Sequence, residues 1–194
     1  KNIDILTMSA TPIPRTLYMS LSGIKDMSII NTAPTNRLPI KTYVGEFKEN
    51  IIKNAINYEL EREGQVFYLY NRVESIYDFA KGLQELVPNI RLAVAHGQME
   101  KNQLEHIMID FLNKEYDVLL CTTIIESGLD IPNANTIIIH DADKFGLAQL
   151  YQIRGRVGRT DRQAFCYCLY KQGKNLTSDA VKRLQYIKEF TTLG

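Results

Sequence analysis

The chain has 194 residues, of which 45% are hydrophobic and 23% are charged, and its formal net charge is +1. This composition is typical of a globular protein, and the chain is long enough to form one sizeable hydrophobic core. A net charge this small excludes nucleic-acid binding through overall positive charge, so any nucleic-acid contact must come from a local basic patch. No apolar run reaches the roughly 18 residues of a membrane span and no signal peptide opens the chain, so we expect a cytoplasmic protein with no membrane partner.

Residues 1–39 differ in pattern from the rest of the chain. An apolar run at residues 3–8 predicts a short buried strand, and the prolines that follow it are typical of the first turn of a helix. The polar, proline-rich stretch at residues 31–39 predicts a linker. Because the chain has no starting Met and opens directly before a strand, we expect it to be a fragment excised from a longer protein.

Beyond the linker, strand-like and helical patterns alternate. The strand-like runs lack polar alternation, which is typical of strands covered on both faces, and amphipathic stretches such as residues 103–112 predict helices between them. This order predicts an α/β fold with a parallel sheet, helices on both of its faces and a further C-terminal helix at residues 178–190. The six predicted strands are residues 40–47, 65–70, 90–95, 117–122, 136–140 and 164–170.

The cysteines and histidines do not form a metal-binding pattern. Cys121, Cys166 and Cys168 lack the Cys-x-x-Cys spacing, and the last two would share one face of a strand, so we expect structural thiols in a reducing compartment. The three histidines are scattered along the chain, and no metal site is expected.

The strongest candidate for chemistry is the segment at residues 149–159. A guanidinium group is a permanently charged, planar fork that matches phosphate oxygens. Arg156 and Arg159 are three residues apart and would project from one face of a helix. A solvated basic helix end is the alternative, but each glycine in a helix costs about 1 kcal/mol relative to alanine, which favours a phosphate site. The arginines and glycines are Arg154, Gly155, Arg156, Gly158 and Arg159.

This segment resembles motif VI of the superfamily 2 helicases, which have two RecA-like lobes. The resemblance implies that Arg156 and Arg159 reach across to ATP bound on the first lobe, where one of them is the arginine finger that stabilises charge on the transferred phosphoryl group. Gln152 matches the polar position that contacts the nucleotide. Arg154 lies outside the matched positions, and we expect it to matter less.

The segment at residues 122–132 resembles motif V of the same family. It places hydroxyl groups and a Gly-x-Asp sequence directly after a buried strand, where α/β sheets carry ligand-binding groups. The resemblance implies that Thr122 or Thr123 lies near a nucleic-acid phosphate, and that Gly128 and Asp130 lie near the nucleotide. Alternatively, Asp130 only caps a turn.

Two further segments follow predicted strands. Asn71 and Arg72 resemble motif IV, and His96 with Gly97 ends another strand. Both segments offer short polar groups and amides that suit a phosphate backbone. The alternative for His96 is a turn residue that is satisfied locally.

A last segment lies near the start of the chain. Ser9, Ala10 and Thr11 match motif III, which in the family lies on the first lobe and couples the nucleotide site to the nucleic-acid site.

Longer sequence segments resemble one group within this superfamily, the RecG-like translocases. Residues 9–17, 122–134 and 145–159 carry it, and residues 34–39 and 96–99 are most similar to the bacterial branch that couples transcription to DNA repair. RecG, the fork-remodelling helicase, is the alternative. The resemblance implies a double-stranded DNA translocase that uses ATP with Mg²⁺, displaces stalled RNA polymerase and recruits an excision-repair protein through other domains.

The resemblance also implies a division of the chain. Residues 1–32 are the tail of the first RecA-like lobe, 33–39 the linker, 40–172 the second RecA-like lobe, and 173–194 the start of a helical translocation hairpin. The phosphate-binding loop and the acidic Mg²⁺-binding motif of the first lobe are absent from the sequence, so we expect the chain alone to be inactive. Two rival functions are a nucleic-acid-binding module, which predicts more basic or aromatic clustering, and a stand-alone P-loop enzyme, which requires that loop.

Overall fold

Six parallel β-strands form the centre of the fold in the computed structural model, which describes residues 38–123 and 131–190. The strand order is β1-β6-β5-β2-β4-β3, and every neighbouring pair is parallel. All six predicted strands are present, with ends that differ from the prediction by at most two residues. The strands are β1 (Lys41–Glu46), β2 (Gln65–Leu69), β3 (Leu92–Ala95), β4 (Val118–Cys121), β5 (Ala134–Ile139) and β6 (Phe165–Tyr170).

Five α-helices of eight or more residues accompany these strands in the described ranges. Two short 3₁₀ turns, Val73–Ser75 and Ala142–Lys144, precede the second and fourth helices. No helix in the described ranges is long and apolar enough to cross a membrane. The helices are α1 (Glu49–Glu61), α2 (Ile76–Leu86), α3 (Lys101–Leu112), α4 (Leu147–Arg154) and α5 (Ser178–Glu189).

The sheet separates two hydrophobic cores, because successive side chains of a strand point to opposite faces. Val118 and Leu120 of β4 pack with α1 and α2 on one face, whereas Leu119 packs with α3, α4 and α5 on the other. All three side chains are fully buried, and burying one such side chain contributes about 1.5–3 kcal/mol. The predicted α/β architecture, a parallel sheet covered by helices on both faces, is therefore confirmed.

The three cysteines lie inside this fold. Cys121, Cys166 and Cys168 are buried and form no disulfide. Cys166 and Cys168 share one face of β6, as predicted, with their sulfur atoms 3.8 Å apart. Burial raises the pKa of Cys121, which keeps this thiol protonated and supports a structural role.

Parallel strands give the sheet two different edges. We call the edge where the strands end the carboxyl edge, and the edge where they begin the amino edge. Segments that follow a strand, such as residues 70–72, 96–97, 122–123 and 140–141, lie at the carboxyl edge. Segments that precede a strand, such as residues 38–40 and 155–164, lie at the amino edge.

Candidate functional site

A polar cleft of about 390 Å³ opens at the carboxyl edge. Open α/β sheets bind ligands in such crevices, because loops from several strands converge there. The cleft brings together residues that were predicted from two separate motifs, the motif IV pair and one hydroxyl of motif V. Its lining consists of Asn71, Arg72, Thr123, His140, Asp141, Lys144, Phe145 and Gln149.

Two cations of the cleft share one carboxylate. The Arg72 guanidinium donates to Asp141 Oδ2, and Lys144 Nζ donates to the same oxygen over 2.7 Å. Burial alone would raise the pKa of the Asp141 carboxyl, but the hydrogen bonds from Lys144 and Arg72 outweigh this effect and hold the pKa below its usual range. The cleft therefore presents a cationic pair that is already oriented around an anion.

An aromatic enclosure holds His140 beside this pair. The imidazole is in edge contact with Phe47, Tyr70 and Phe79, with ring centroids 4.9–5.1 Å apart, and the Tyr68 hydroxyl lies 3.3 Å from Nδ1. Burial lowers the pKa of His140 to about 4, and this outweighs the opposing effect of Asp141. His140 is therefore neutral at pH 7.

The remaining predicted residues of the carboxyl edge are less accessible. Thr122 is buried, so Thr123 is the motif V hydroxyl that reaches the cleft. His96 is buried as well, and its Nε2 atom lies 3.2 Å from the hydroxyl of Tyr77. Its Nδ1 atom is buried without a hydrogen-bond partner among the described residues, whereas Gly97 is exposed. Tyr77 lies on α2, so the partner of His96 comes from outside its own turn.

Arg156 and Arg159 lie at the opposite, amino edge. The expectation that they share one face of a helix is wrong, because α4 ends at Arg154 and both residues belong to the loop before β6. Gly158 has a φ of +75°, a left-handed conformation that cannot continue a right-handed helix. A Cβ atom at this position would lie 2.9 Å from Ile40 Cγ1, so the glycine also allows close packing.

Contacts along the amino edge fix the path of this arginine loop, residues 155–164. The Thr160 hydroxyl lies 3.4 Å from Asn135 Oδ1 at the start of β5. Gln163 Nε2 donates to the Pro39 carbonyl over 2.7 Å, and Arg162 donates to the Arg62 carbonyl over 2.5 Å. Both Arg156 and Arg159 are half-buried, and Gln152 is exposed on α4. The loop is thus tied to the segments that precede β1 and β2 and to the start of β5.

Four residues of these two regions were not predicted from the sequence. His140, Asp141 and Lys144 follow directly after β5, so the strand end was the available signal. Arg154 was treated as peripheral, but it is only 6% exposed and donates to the Ile187 carbonyl over 2.8 Å. Five predicted residues lie outside the described part of the chain: Ser9, Ala10, Thr11, Gly128 and Asp130.

Comparison with known proteins defines the class to which this arrangement belongs. The sequence profile of the helicase conserved C-terminal domain matches residues 48–161, which is more than half of the chain. The chain therefore belongs to the helicase C-terminal domain family. In a solved structure, RecG bound to a three-way DNA junction, a similar fold covers 95% of this chain and 25% of RecG, with a TM-score of 0.80 and 33% sequence identity. The C-terminal domain of the DEAD-box protein Dbp5 shares the fold at 18% identity, with a TM-score of 0.58 over 78% of this chain and 87% of that domain.

Two curated relatives place the chain in a branch of this class. The chain is 58% identical to the transcription-repair-coupling factor of Staphylococcus epidermidis over all of its 194 residues, and equally similar to that of Staphylococcus haemolyticus over 193 residues. It spans 17% and 16% of the length of these two proteins. The resemblance to the branch that couples transcription to DNA repair, made from the sequence motifs, is confirmed.

Proposed function

We propose that the chain is the second motor lobe of an ATP-dependent double-stranded DNA translocase, which displaces stalled RNA polymerase and couples transcription to nucleotide excision repair. One observation carries the proposal. Side chains whose charge and geometry suit phosphate occur in two separate regions of one sheet, with the arginine loop at the amino edge and the cationic cleft at the carboxyl edge. A translocase lobe needs two such regions, because it contacts the phosphates of ATP and those of DNA.

The arginine loop is the proposed nucleotide contact. Its donors are guanidinium groups, with the Gln152 amide nearby, and these groups suit phosphate oxygens rather than Mg²⁺. ATP and its Mg²⁺ are therefore assigned mainly to the first lobe of the parent protein, and one of Arg156 and Arg159 stabilises the charge that develops on the phosphoryl group. Gly128 and Asp130 are proposed nucleotide neighbours. On this assignment the chain alone has no ATPase activity.

The cleft at the carboxyl edge is the proposed DNA contact. Arg72 and Lys144 already surround a carboxylate oxygen of Asp141, and a DNA phosphate presents similar oxygens to the same donors. Contacts of this kind neutralise phosphates without reading bases, so the binding depends on salt and not on sequence. The other proposed backbone contacts are Asn71, His96, Gly97, Thr122 and Thr123.

The remaining assignments concern the rest of the parent protein. Ser9, Ala10 and Thr11 are proposed to couple the nucleotide and DNA sites from the first lobe. RNA polymerase and the excision-repair protein are proposed to bind domains outside this chain. RecG-like remodelling of replication forks is the alternative activity, and the 33% identity to RecG over nearly the whole chain supports it.

Steady-state kinetics on the intact parent protein tests the arginine assignment. Arg156→Ala and Arg159→Ala should each reduce ATP turnover far more than ATP or DNA affinity, and loss of an arginine finger lowers turnover by about 10³–10⁵. Arg→Lys at the same positions should restore little activity, because an ammonium group lacks the planar fork. Lys171→Ala is the control, since Lys171 is an exposed cation outside the loop. Turnover within a few-fold of wild type for both alanine variants contradicts the assignment.

A further inference from the structure

A buried ion pair lies beside the arginine loop at the amino edge. Glu59, near the end of α1, is fully buried, and its Oε2 atom accepts a hydrogen bond from the Arg62 guanidinium over 2.6 Å. The Thr136 hydroxyl of β5 donates to the same oxygen over 2.6 Å. Because a carboxylate in a protein interior is costly unless it is paired, Glu59 fixes the position of the guanidinium that pairs with it.

Two aromatic rings enclose the same guanidinium. The central carbon of Arg62 lies 5.1 Å from the centre of the Tyr58 ring and 5.2 Å from the centre of the Phe165 ring. The two rings are in edge contact with each other, with centroids 5.5 Å apart. Attraction between the cation and the ring faces holds the guanidinium from its sides, and its side chain is only 19% exposed.

From this position the guanidinium contacts the arginine loop. The terminal nitrogen of Arg62 that binds Glu59 also donates to the Gln163 carbonyl over 2.8 Å. A bond in the opposite direction accompanies it, since Arg162 donates to the Arg62 carbonyl over 2.5 Å. Two reciprocal bonds therefore join residue 62 to the last part of the arginine loop.

Stability alone does not explain this buried pair. Glu59 Oε1 has no hydrogen-bond partner among the described residues, and a Cβ atom at Gly64 would lie 1.7 Å from it. Apolar residues of similar volume are often as stabilising as a buried ion pair, or more so, because the charges must be desolvated. The contact that apolar residues could not provide is the directional bond to the Gln163 carbonyl.

This bond limits where the arginine loop can lie. Arg159 is four residues before Gln163, and four residues of extended chain span at most about 14 Å. The other end of the loop is fixed by α4, which ends at Arg154. A donor that stabilises a transition state must be placed accurately, and a displacement of about 1 Å can lower the rate by about 100-fold.

We infer that Arg62, oriented by Glu59, is a positioning residue that holds the arginine loop in place, and thereby sets the rate of ATP hydrolysis rather than the affinity for ATP. The inference rests on the proposed function, since it requires the arginine loop to contact ATP. It assigns this role to a residue that lies about 100 positions before the loop in sequence. Arg62 acts through the loop and does not need to touch the nucleotide.

Steady-state ATP hydrolysis by the intact parent protein tests the inference in a double variant, Glu59→Gln with Arg62→Met. The new amide still accepts from Thr136, and the new thioether fills the space between the rings, so no unpaired charge is buried. The kcat for ATP should fall by roughly 10- to 100-fold, whereas KM for ATP and the affinity for DNA stay within a few-fold of wild type. Arg91→Ala breaks another arginine–carboxylate pair at the amino edge and should change none of these quantities.

A second measurement separates positioning from a general loss of structure. The double variant is combined with whichever of Arg156→Ala and Arg159→Ala lowers kcat more. In this background it should lower kcat by less than about twofold, because no arginine finger remains to be positioned. A loss as large as in the wild-type background overturns the inference, and so does a double variant whose kcat stays within a few-fold of wild type.

Arg162→Ala decides the case in which the double variant loses its affinity for both ATP and DNA, as an unfolded lobe would. This change leaves the buried pair intact and removes the reciprocal bond from an exposed side chain. It should lower kcat by roughly 2- to 10-fold, the size of effect that one hydrogen bond supports, and an unchanged kcat overturns the inference. If neither Arg156→Ala nor Arg159→Ala lowers kcat, the proposed function fails and the inference fails with it. If one of them does but the Arg62 and Arg162 variants do not, only the inference fails.

Discussion

The two edges of the sheet hold their charged side chains in different ways. At the amino edge, the arginine loop is fixed by the left-handed turn at Gly158 and by side-chain hydrogen bonds from Thr160, Arg162 and Gln163 to neighbouring segments. At the carboxyl edge, Arg72 and Lys144 are oriented mainly by a carboxylate. The first arrangement fixes the backbone conformation of a loop. The second holds two cations by a carboxylate that another anion could replace.

This difference agrees with the chemistry proposed for each edge. Stabilising a transition state requires donors that are already in place when charge develops, and a constrained loop provides this. Travel along DNA requires phosphate contacts that form and break repeatedly, and the cations of the cleft, whose side chains are about half exposed, can exchange a carboxylate for a phosphate.

The amino edge should be sensitive to a single added methyl group. Gly158→Ala places an alanine in a left-handed backbone conformation, which costs about 1–2 kcal/mol. It also places a Cβ atom 2.9 Å from Ile40, and overpacking of this kind costs about 1–3 kcal/mol more. We expect the free energy of unfolding of the 194-residue chain to fall by about 2–5 kcal/mol in urea denaturation.

Gly173→Ala is the matched control at the opposite edge. Gly173 has a similar φ of +68°, but an added Cβ atom would meet nothing within 4 Å. The free energy of unfolding of this variant should fall only by the cost of the left-handed backbone conformation, about 1–2 kcal/mol. Equal losses in both variants would show that packing against Ile40 does not hold the arginine loop.

The carboxyl edge should lose stability in mild acid through His140. The pKa of His140 in the folded chain is about 4, below its ordinary value of 6.5, so the unfolded chain takes up the proton first as the pH falls. The stability that the neutral imidazole contributes is complete above pH 6.5 and is lost between pH 6.5 and 4, with a loss on the order of 2 kcal/mol.

Urea denaturation at a series of pH values measures this loss. His140→Gln retains an acceptor for Tyr68 and should flatten the dependence of the unfolding free energy on pH in that window. The Asp141 carboxyl has a lowered pKa, so its own contribution is lost only below the ordinary value of 3.8 and does not overlap. An unchanged slope in His140→Gln would assign the effect to another group.

The smallest effect is expected for DNA binding at the cleft. Arg72→Ala in the intact parent should weaken binding to a short duplex by roughly 5- to 10-fold at low salt, and reduce the salt slope by about 1, because one phosphate contact is lost. Fluorescence anisotropy across a salt series measures both quantities.

Arg91→Ala provides a close control for this measurement. Arg91 pairs with Asp117 over 2.6 Å, and its side chain is 55% exposed, compared with 47% for Arg72. It precedes β3 and therefore lies at the amino edge. A similar loss of affinity in both variants would mean that general surface charge, and not the cleft, binds DNA.

Much of the fold could be predicted from local patterns. The apolar runs of β4 and β5 have no polar alternation, because both faces of these strands are covered, and the sequence shows this directly. The spacing of arginines and glycines at residues 154–159 also predicts a phosphate-binding segment without knowledge of its conformation, and this assignment stays a prediction. The division of the chain at residues 33–39 stays a prediction.

Two features of the arginines were not predicted correctly, because local sequence does not show where a helix ends or which side chain becomes buried. Arg156 and Arg159 have helical spacing, but a glycine between them adopts a positive φ, and spacing alone does not reveal where a helix ends. Arg154 looks like its neighbours in sequence, yet it is buried because α5 packs over it, and α5 is more than 20 residues away along the chain.

Local sequence patterns were sufficient to predict the class of fold, the order of its strands along the chain and the segments proposed to contact phosphate, because each depends on residues that are close in sequence. The tertiary structure was needed to show that Arg72, Lys144 and Asp141 meet, because β2 and β5 are neighbours in the sheet although they are distant in sequence. It was also needed to show that α4 ends at Arg154, which places the arginine loop before β6 and therefore at the edge opposite to the cleft.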